Sequence, residues 1–347
     1  MQKYFSFFIL LFVFQFSYSQ TILPSNQPNC GPGGAEYKHD SLTIYNCAEN
    51  QDGYWLYEPT NPKPERANVI VFMHGYGAYN PMIYGGWIKH LVLKGNIVIF
   101  PRYQKNLFSP STDKFVENTM KGILDAIKEL KTGDHVIPIL DNISFVGHSY
   151  GGVISANLSV NYKELGIPFP DVLMLCSPGT GPFNGALLDD YSELPTDTKL
   201  LVLVSEDDQT VGDKVGILIY ESAINVKNRN LLRQFEDNYG KPKITAGHNE
   251  SYALDEDFDS GVRNVSTRRA KRKGTIDALD YNGYWKLFDA LLDCSRNNNN
   301  CNIAFGNTPE QRSLGSWSDG TSIKELEVTI PKIEDEIKEI KTVNSTH

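Results

Sequence analysis

The sequence predicts an α/β fold, a mainly parallel central sheet flanked by helices on both faces, with no large lid domain. Three observations carry that expectation. Continuous apolar runs of strand length, rich in β-branched residues, recur along the chain, as in Val69-Ile70-Val71-Phe72-Met73 and Ile97-Val98-Ile99-Phe100. Segments of helical periodicity alternate with them; Val116, Met120, Ile123, Leu124, Ile127 and Leu130 fall on one helical face. Strands covered on both sides read as unbroken apolar runs, and strands alternating with helices build parallel sheets. The third observation is composition: 347 residues at 40% apolar and 22% charged are ordinary for a globular chain and sufficient for a large core.

Taken in order, residues 1–19 have the form of a cleavable signal peptide. Lys3 supplies a positive start, the apolar stretch Phe7 to Phe14 is too short to span a bilayer, and Ser17-Tyr18-Ser19 has the small-x-small form of a cleavage site. The mature chain is expected to begin at Gln20, secreted or periplasmic, with no stable membrane span. Residues 20–40, rich in Pro, Gly and Asn, read as an extended arm, residues 41–301 as the α/β domain, and residues 302–347 as a C-terminal extension. Leu42 to Tyr45 and Tyr54 to Tyr57 read as opening strands. Ile143 to Val146, Val172 to Leu175, Leu200 to Val204 and Ile244-Thr245 complete the series, with helices at Ile154 to Leu165 and Val215 to Ala223. A last helix is expected from near Thr275, carrying Leu279, Trp285, Leu287, Phe288, Leu291 and Leu292 towards the sheet. The extension reads as a turn at Gly315 to Gly320 with one packing tryptophan, an edge strand at Leu326 to Ile330, and a charged tail at Ile333 to Lys341.

Charge and cysteine content narrow the partners. With 33 basic against 42 acidic residues the net charge is −9, the wrong sign for attraction to nucleic acid. In an oxidising compartment the five cysteines pair by proximity as Cys30 with Cys47 and Cys294 with Cys301, leaving Cys176 as a buried, inert thiol at the end of an apolar run. No C-x-x-C pair or clustered His/Cys spacing suggests zinc.

In a parallel sheet, chemistry belongs where the strands stop, beyond their carboxyl ends. Gly147-His148-Ser149-Tyr150-Gly151 sits between the strand Ile143 to Val146 and the following helix. A strand-to-helix turn this sharp leaves no room for Cβ atoms beside the serine and pushes the serine into a strained conformation at a helix N-terminus. A serine hydroxyl needs a base to take its proton, and the base needs an orienting carboxylate. Among the histidines, His39, His90, His135 and His347 lie away from strand ends and His148 lies inside the turn, leaving His74 and His248. His248 follows Ile244-Thr245-Ala246-Gly247 and comes last in the chain; the acid is then expected after Leu200 to Val204, in Glu206-Asp207-Asp208. The order Ser149, Asp208, His248 is a recognised one for a catalytic triad.

This elbow, the triad order and the His74-Gly75 pair after an early strand resemble the α/β-hydrolase superfamily over roughly residues 68–293. Within it the chain is similar to the branch that holds chlorophyllase-like, dienelactone-hydrolase-like and cutinase-like polyester hydrolases. In that branch the acid lies in an acidic-x-Asp segment followed by small or apolar residues; Glu206 to Val211 fits with Asp208 as acid and Asp207 as the alternative. The resemblance also implies oxyanion donors at the backbone N–H groups of Tyr76 and Tyr150, a structural His74, and chemistry without a metal or organic cofactor.

The implied activity is hydrolysis of carboxylic esters, small, bulky or polymeric, through an acyl-enzyme. The same triad serves amidases, peptidases and perhydrolases, and a non-catalytic binding protein on the same shell is the reading from another class. Residues 177–198 are too few for the helical lid that many lipases insert at this point, so an open cleft is expected. Aromatic residues gather near the predicted rim, with Tyr76 and Tyr150 set apart by their neighbours and Asn249 to Tyr252 as further candidates for the pocket wall. The dense basic run of Arg268, Arg269, Lys271, Arg272 and Lys273 reads as a solvated segment leading into the last helix.

Overall fold

The computed structural model describes residues 21–108, 111–183 and 185–330. The predicted leader at 1–19 and the charged tail at Ile333 to Lys341 lie outside them. Nine strands, β1 (Ser41–Cys47), β2 (Tyr54–Thr60), β3 (Arg66–Met73), β4 (Asn96–Pro101), β5 (Ile137–His148), β6 (Phe169–Cys176), β7 (Lys199–Ser205), β8 (Asn228–Gln234) and β9 (Glu327–Thr329), form one mixed sheet in the order β1-β2-β4-β3-β5-β6-β7-β8-β9. The run from β4 to β8 is parallel, and the antiparallel pairs lie at the two flanks. Around the sheet lie α1 (Gly85–Leu93), α2 (Phe115–Glu129), α3 (Tyr150–Val160), α4 (Tyr162–Leu165), α5 (Lys214–Ser222), α6 (Val265–Lys273), α7 (Trp285–Asn297), α8 (Cys301–Ala304) and α9 (Pro309–Arg312).

The unbroken apolar strands follow from burial on both faces. In β3, Ile70 and Phe72 point into one core with Trp87, Ile88 and Leu91 of α1 and Leu287 and Phe288 of α7. Val69, Val71 and Met73 point into the other, with Ile123 and Ile127 of α2, Val153 and Ile154 of α3 and Ile219 of α5. Each such buried side chain contributes roughly 1.5–3 kcal/mol relative to exposure. The chain turns one way from β3 to β4 and the other way to β5, so the sheet has its topological switch point beside β3. In open α/β sheets that crevice is where ligands bind.

Several elements depart from expectation. The strand before His248 is β8, Asn-Arg-Asn-Leu-Leu-Arg-Gln, while Ile244 makes only an isolated bridge to Asp237. The helix expected from Ile154 to Leu165 breaks at Asn161 into α3 and α4. The basic run is itself a helix, α6, opened by a capping box between Asn264 and Thr267. The last long helix starts with a π-turn at Asp280–Tyr284 before α7. Glu327–Thr329 pairs antiparallel with β8 at the sheet edge, and Trp317 is buried with its Nε1 donating to Asp237 Oδ2 at 3.2 Å.

Cys294 and Cys301 form a disulfide, but Cys30 and Cys47 do not; both are free and exposed. Cys47 closes β1 beside Tyr54, whereas Cys30 lies by the other end, where Lys94 Nζ donates to Gly31 O at 3.2 Å. β1 carries Cys47 roughly 20 Å along the strand from Ser41, and the two cysteines are not joined. Nearness in sequence misled here because β1 carries Cys47 away from the turn that follows Cys30. Cys176 is buried, and that burial pushes its thiol up, away from the reactive thiolate.

Alkylation of the native protein followed by peptide mass spectrometry is expected to modify Cys30 and Cys47, to add Cys176 on denaturation, and to reach Cys294 and Cys301 only after reduction. Protection of Cys30 and Cys47 in the absence of reductant would contradict this arrangement.

Candidate active site

The parallel strands deliver their carboxyl ends to one rim, and the predicted residues meet there. Ser149 stands between β5 and α3 with φ 55° and ψ −122°, a conformation that costs a residue with a Cβ about 1–3 kcal/mol. Four backbone bonds hold it: Ser149 N–H donates to Cys176 O at 2.9 Å, and Ser149 O accepts from Gly152, Gly179 and Val153 N–H at 3.0, 3.2 and 3.4 Å. The glycines expected from the motif are needed here. A Cβ on Gly151 would run into the carbonyl oxygens of Met73 and His74, and one on Gly75 would stand 3.2 Å from Ser149 Cβ. The turn after β3 and the turn after β5 are thus in close contact across the switch point.

Ser149 Oγ lies 2.9 Å from His248 Nε2, and His248 Nδ1 lies 2.7 Å from Asp208 Oδ2. All three side chains are buried. Burial pushes the Asp208 carboxyl up, but its bonds with His248 and with the N–H groups of Val211 and Thr210, at 3.0 and 2.9 Å, outweigh it and hold the group below its ordinary value. Asp208 is therefore a carboxylate that can only accept. His248 must carry its proton on Nδ1 and turn a lone pair on Nε2 towards the serine, whose hydroxyl donates. Asp207 is exposed, and its backbone N–H ties to Ala246 O at 3.0 Å. Of the two aspartates, Asp208 is the one brought to the histidine.

A second histidine, passed over in the sequence because it lies inside the elbow, holds His248 from behind. His148 Nε2 donates to His248 O at 2.8 Å, and its Nδ1 accepts from the Tyr84 hydroxyl at 2.9 Å, which accepts in turn from Gly75 N–H at 3.0 Å. The ring is enclosed on every side, and burial, aided by the neighbouring His248, lowers its pKa to about 3, so it stays neutral with a fixed tautomer. On the other flank, Glu250 accepts from Gly247 N–H at 2.8 Å and from the Thr245 hydroxyl at 2.7 Å, closing the loop that presents His248. The sequence signal for both was present in part: His148 is in the motif, and Glu250 stands two residues past the base.

Tyr76 and Tyr150 border the cleft as expected, whereas Tyr84, Trp87 and Tyr103 are core residues. Tyr150 opens α3, so its N–H has no earlier helical turn to bond and faces the end of the helix nearest Ser149. The turn bearing Tyr76 is braced by Gly77 N–H donating to Gln104 Oε1 at 2.7 Å, and the Tyr76 hydroxyl donates to Leu107 O at 2.9 Å. His74 lies off the serine, stacked on Tyr103 at 3.9 Å between ring centres and lowered to about 4 by burial; it braces the turn between Gly75 O and Arg102 O, each 2.8 Å away. The cleft over Ser149 and His248 encloses about 250 Å³. Its walls include Phe183, Val265 and Tyr252, with Asn249 beside the base. Among the described residues no group of three or more His, Cys, Asp or Glu is arranged to hold a metal ion, and no helix is long and apolar enough to cross a membrane.

Residues 57–185 match the family model described as Chlorophyllase, a family of α/β-hydrolase type. The match points to ester hydrolysis and contains Tyr76, Ser149 and Tyr150; Asp208 and His248 lie beyond it. No curated protein matches the chain.

His148 predicts a measurable linkage. A histidine whose folded pKa lies near 3 against 6.5 unfolded takes up a proton on unfolding at intermediate pH, so its stabilisation is full above 6.5 and is lost as pH falls towards 3. Plots of urea-unfolding free energy against pH are expected to show the wild type taking up about one proton more than His148→Gln at pH 5. Parallel plots would show that His148 is not held neutral by the fold.

Proposed function

We propose that the protein is an exported serine hydrolase that cleaves carboxylic esters through an acyl-enzyme. The observation that carries this reading is the hydrogen-bonded series from Ser149 Oγ to His248 Nε2 at 2.9 Å and from His248 Nδ1 to Asp208 Oδ2 at 2.7 Å, set at the mouth of a cleft. The Chlorophyllase match over residues 57–185 supports the broader assignment to ester-cleaving α/β-hydrolases.

In this mechanism Ser149 Oγ attacks the ester carbonyl carbon while His248 Nε2 takes the hydroxyl proton. Asp208 keeps the imidazole in the correct tautomer and stabilises the imidazolium. The carbonyl oxygen gains the electron pair of the broken π bond, and the N–H groups of Tyr76 and Tyr150 receive the resulting anion. As the carbonyl re-forms, the bond to the alcohol oxygen breaks and His248 returns its proton to the departing alkoxide. Water then attacks the acyl-serine with His248 as base again, releasing the acid and restoring Ser149. Neither a metal nor an organic cofactor enters the scheme.

Two further parts of the proposal rest on the sequence. Lys3, the apolar stretch after it and Ser17-Tyr18-Ser19 support export, with the mature protein secreted or periplasmic. The short segment from 177 to 198 supports an open cleft that admits esters directly from solvent, without a large lid.

A fluorophosphonate probe is expected to label the protein at Ser149. Ser149→Ala should abolish labelling and lower p-nitrophenyl acetate turnover by about three orders of magnitude or more, and Asp208→Asn should cost far more than Asp207→Asn. Full turnover in Ser149→Ala would end the proposal, and a panel of esters against anilides separates esterase from amidase.

A further inference from the structure

The basic run of the sequence is divided by its own helix. On α6, Arg268, Lys271, Arg272 and Lys273 are exposed, and Lys271 pairs with Glu256 at 2.6 Å. Arg269 is the exception. It is half-buried, it lines the cleft that holds Ser149 and His248, and among the described residues no acceptor or counter-ion meets its guanidinium. Its charge is felt by the Tyr252 hydroxyl, which it draws down against the upward push of burial, and the Tyr252 ring packs at 5.5 Å from that of His148.

Helix α6 is fixed relative to the reaction site. Its cap residue Asn264 sends its side-chain amide to Gly77 O at 2.7 Å, tying the helix to the turn that bears Tyr76. Among the described residues no carboxylate lines the cleft. Of the carboxylates behind it, Asp208 is engaged by His248, Thr210 and Val211, and Glu250 by Thr245 and Gly247. An anion entering the cleft therefore meets the Arg269 cation and, among the described lining residues, no carboxylate. A guanidinium partly stripped of water and left without a partner gains from a planar carboxylate more than a solvated surface arginine does. The cleft also has an apolar wall, where the Tyr76 and Phe183 rings stack at 5.3 Å.

We propose that Arg269 recognises a carboxylate on the substrate, so that the preferred esters are amphipathic: an apolar body against Tyr76 and Phe183, and a free carboxylate, on either the acyl or the alcohol side, paired with Arg269. This rests on the serine-hydrolase reading of the same site. The contact is local, because the net charge of −9 does not draw anions from a distance.

The test compares kcat/KM within two matched pairs, 4-acetoxybenzoate against 4-acetoxybenzamide and monoethyl adipate against ethyl adipamate, for wild type, Arg269→Gln and Arg269→Lys. The wild type is expected to favour the charged member of at least one pair by about tenfold, largely through KM and less so at high salt. Arg269→Gln should remove that preference, and Arg269→Lys should keep part of it; thermal midpoints confirm that both variants are folded. The absence of any preference in the wild type, or a preference that survives in Arg269→Gln, overturns the carboxylate reading while the uncharged esters still report hydrolysis. If the wild type neither hydrolyses an uncharged ester nor takes the fluorophosphonate label, the hydrolase reading itself fails, and this inference falls with it.

Discussion

Ser149 occupies a backbone region that an L-residue avoids, and the surrounding fold exists in the form it does because it must hold that turn. The serine carbonyl is bonded by three later N–H groups and its N–H by the end of β6. Gly151 lets α3 start hard against β3, and Gly75 lets the neighbouring turn lie against the serine. Removing the glycines would not merely loosen the loop; it would separate two strand ends that have to touch. The strain is held by the parallel strands β3, β5 and β6, which are buried on both faces.

Placing the base is a different problem, since His248 comes from a long excursion after β8 with little regular structure of its own. The excursion is fastened at both flanks: Glu250 gathers the residues before the base, and Ala253 N–H reaches Ile83 O at 2.9 Å beyond it. Between those ties His148 grips the backbone of His248 through a bond whose direction is set by Tyr84. The elbow thus supplies both the nucleophile and the residue that registers the base against it, so a shift of the serine would carry the histidine along.

Much of this was legible in the amino-acid sequence, for identifiable reasons. The buried strands β3 to β7 announce themselves because covering both faces demands continuous apolar residues, and the elbow announces itself because close approach demands glycine. Asp208 was separable from Asp207 by its place in the segment, and its burial against His248 follows from the turn after β7. Strand β8 was not legible: Asn228, Arg229, Asn230 and Arg233 interrupt its apolar residues, and its short apolar pair Leu231-Leu232 has no periodic support. Helix α6 was missed because a mean composition so basic hides its small buried face of Ser266, Thr267 and Ala270. The free state of Cys30 and Cys47, and the singular position of Arg269 within its charged run, depend on long-range placement that spacing along the chain does not encode.

The two ends of the described chain interlock. Leu23 and Ser318 exchange bonds in both directions, Ser25 N–H donates to Ser316 O, and Lys241 N–H donates to Ile22 O beneath Trp317. The arm and the C-terminal segment therefore behave as a single latch rather than as two independent tails. A protease that trims one of them withdraws the other's hydrogen-bond partners as well, so damage at either extremity is transmitted to the opposite one and onward to β9, which shields the open margin of β8 from pairing with a neighbouring molecule.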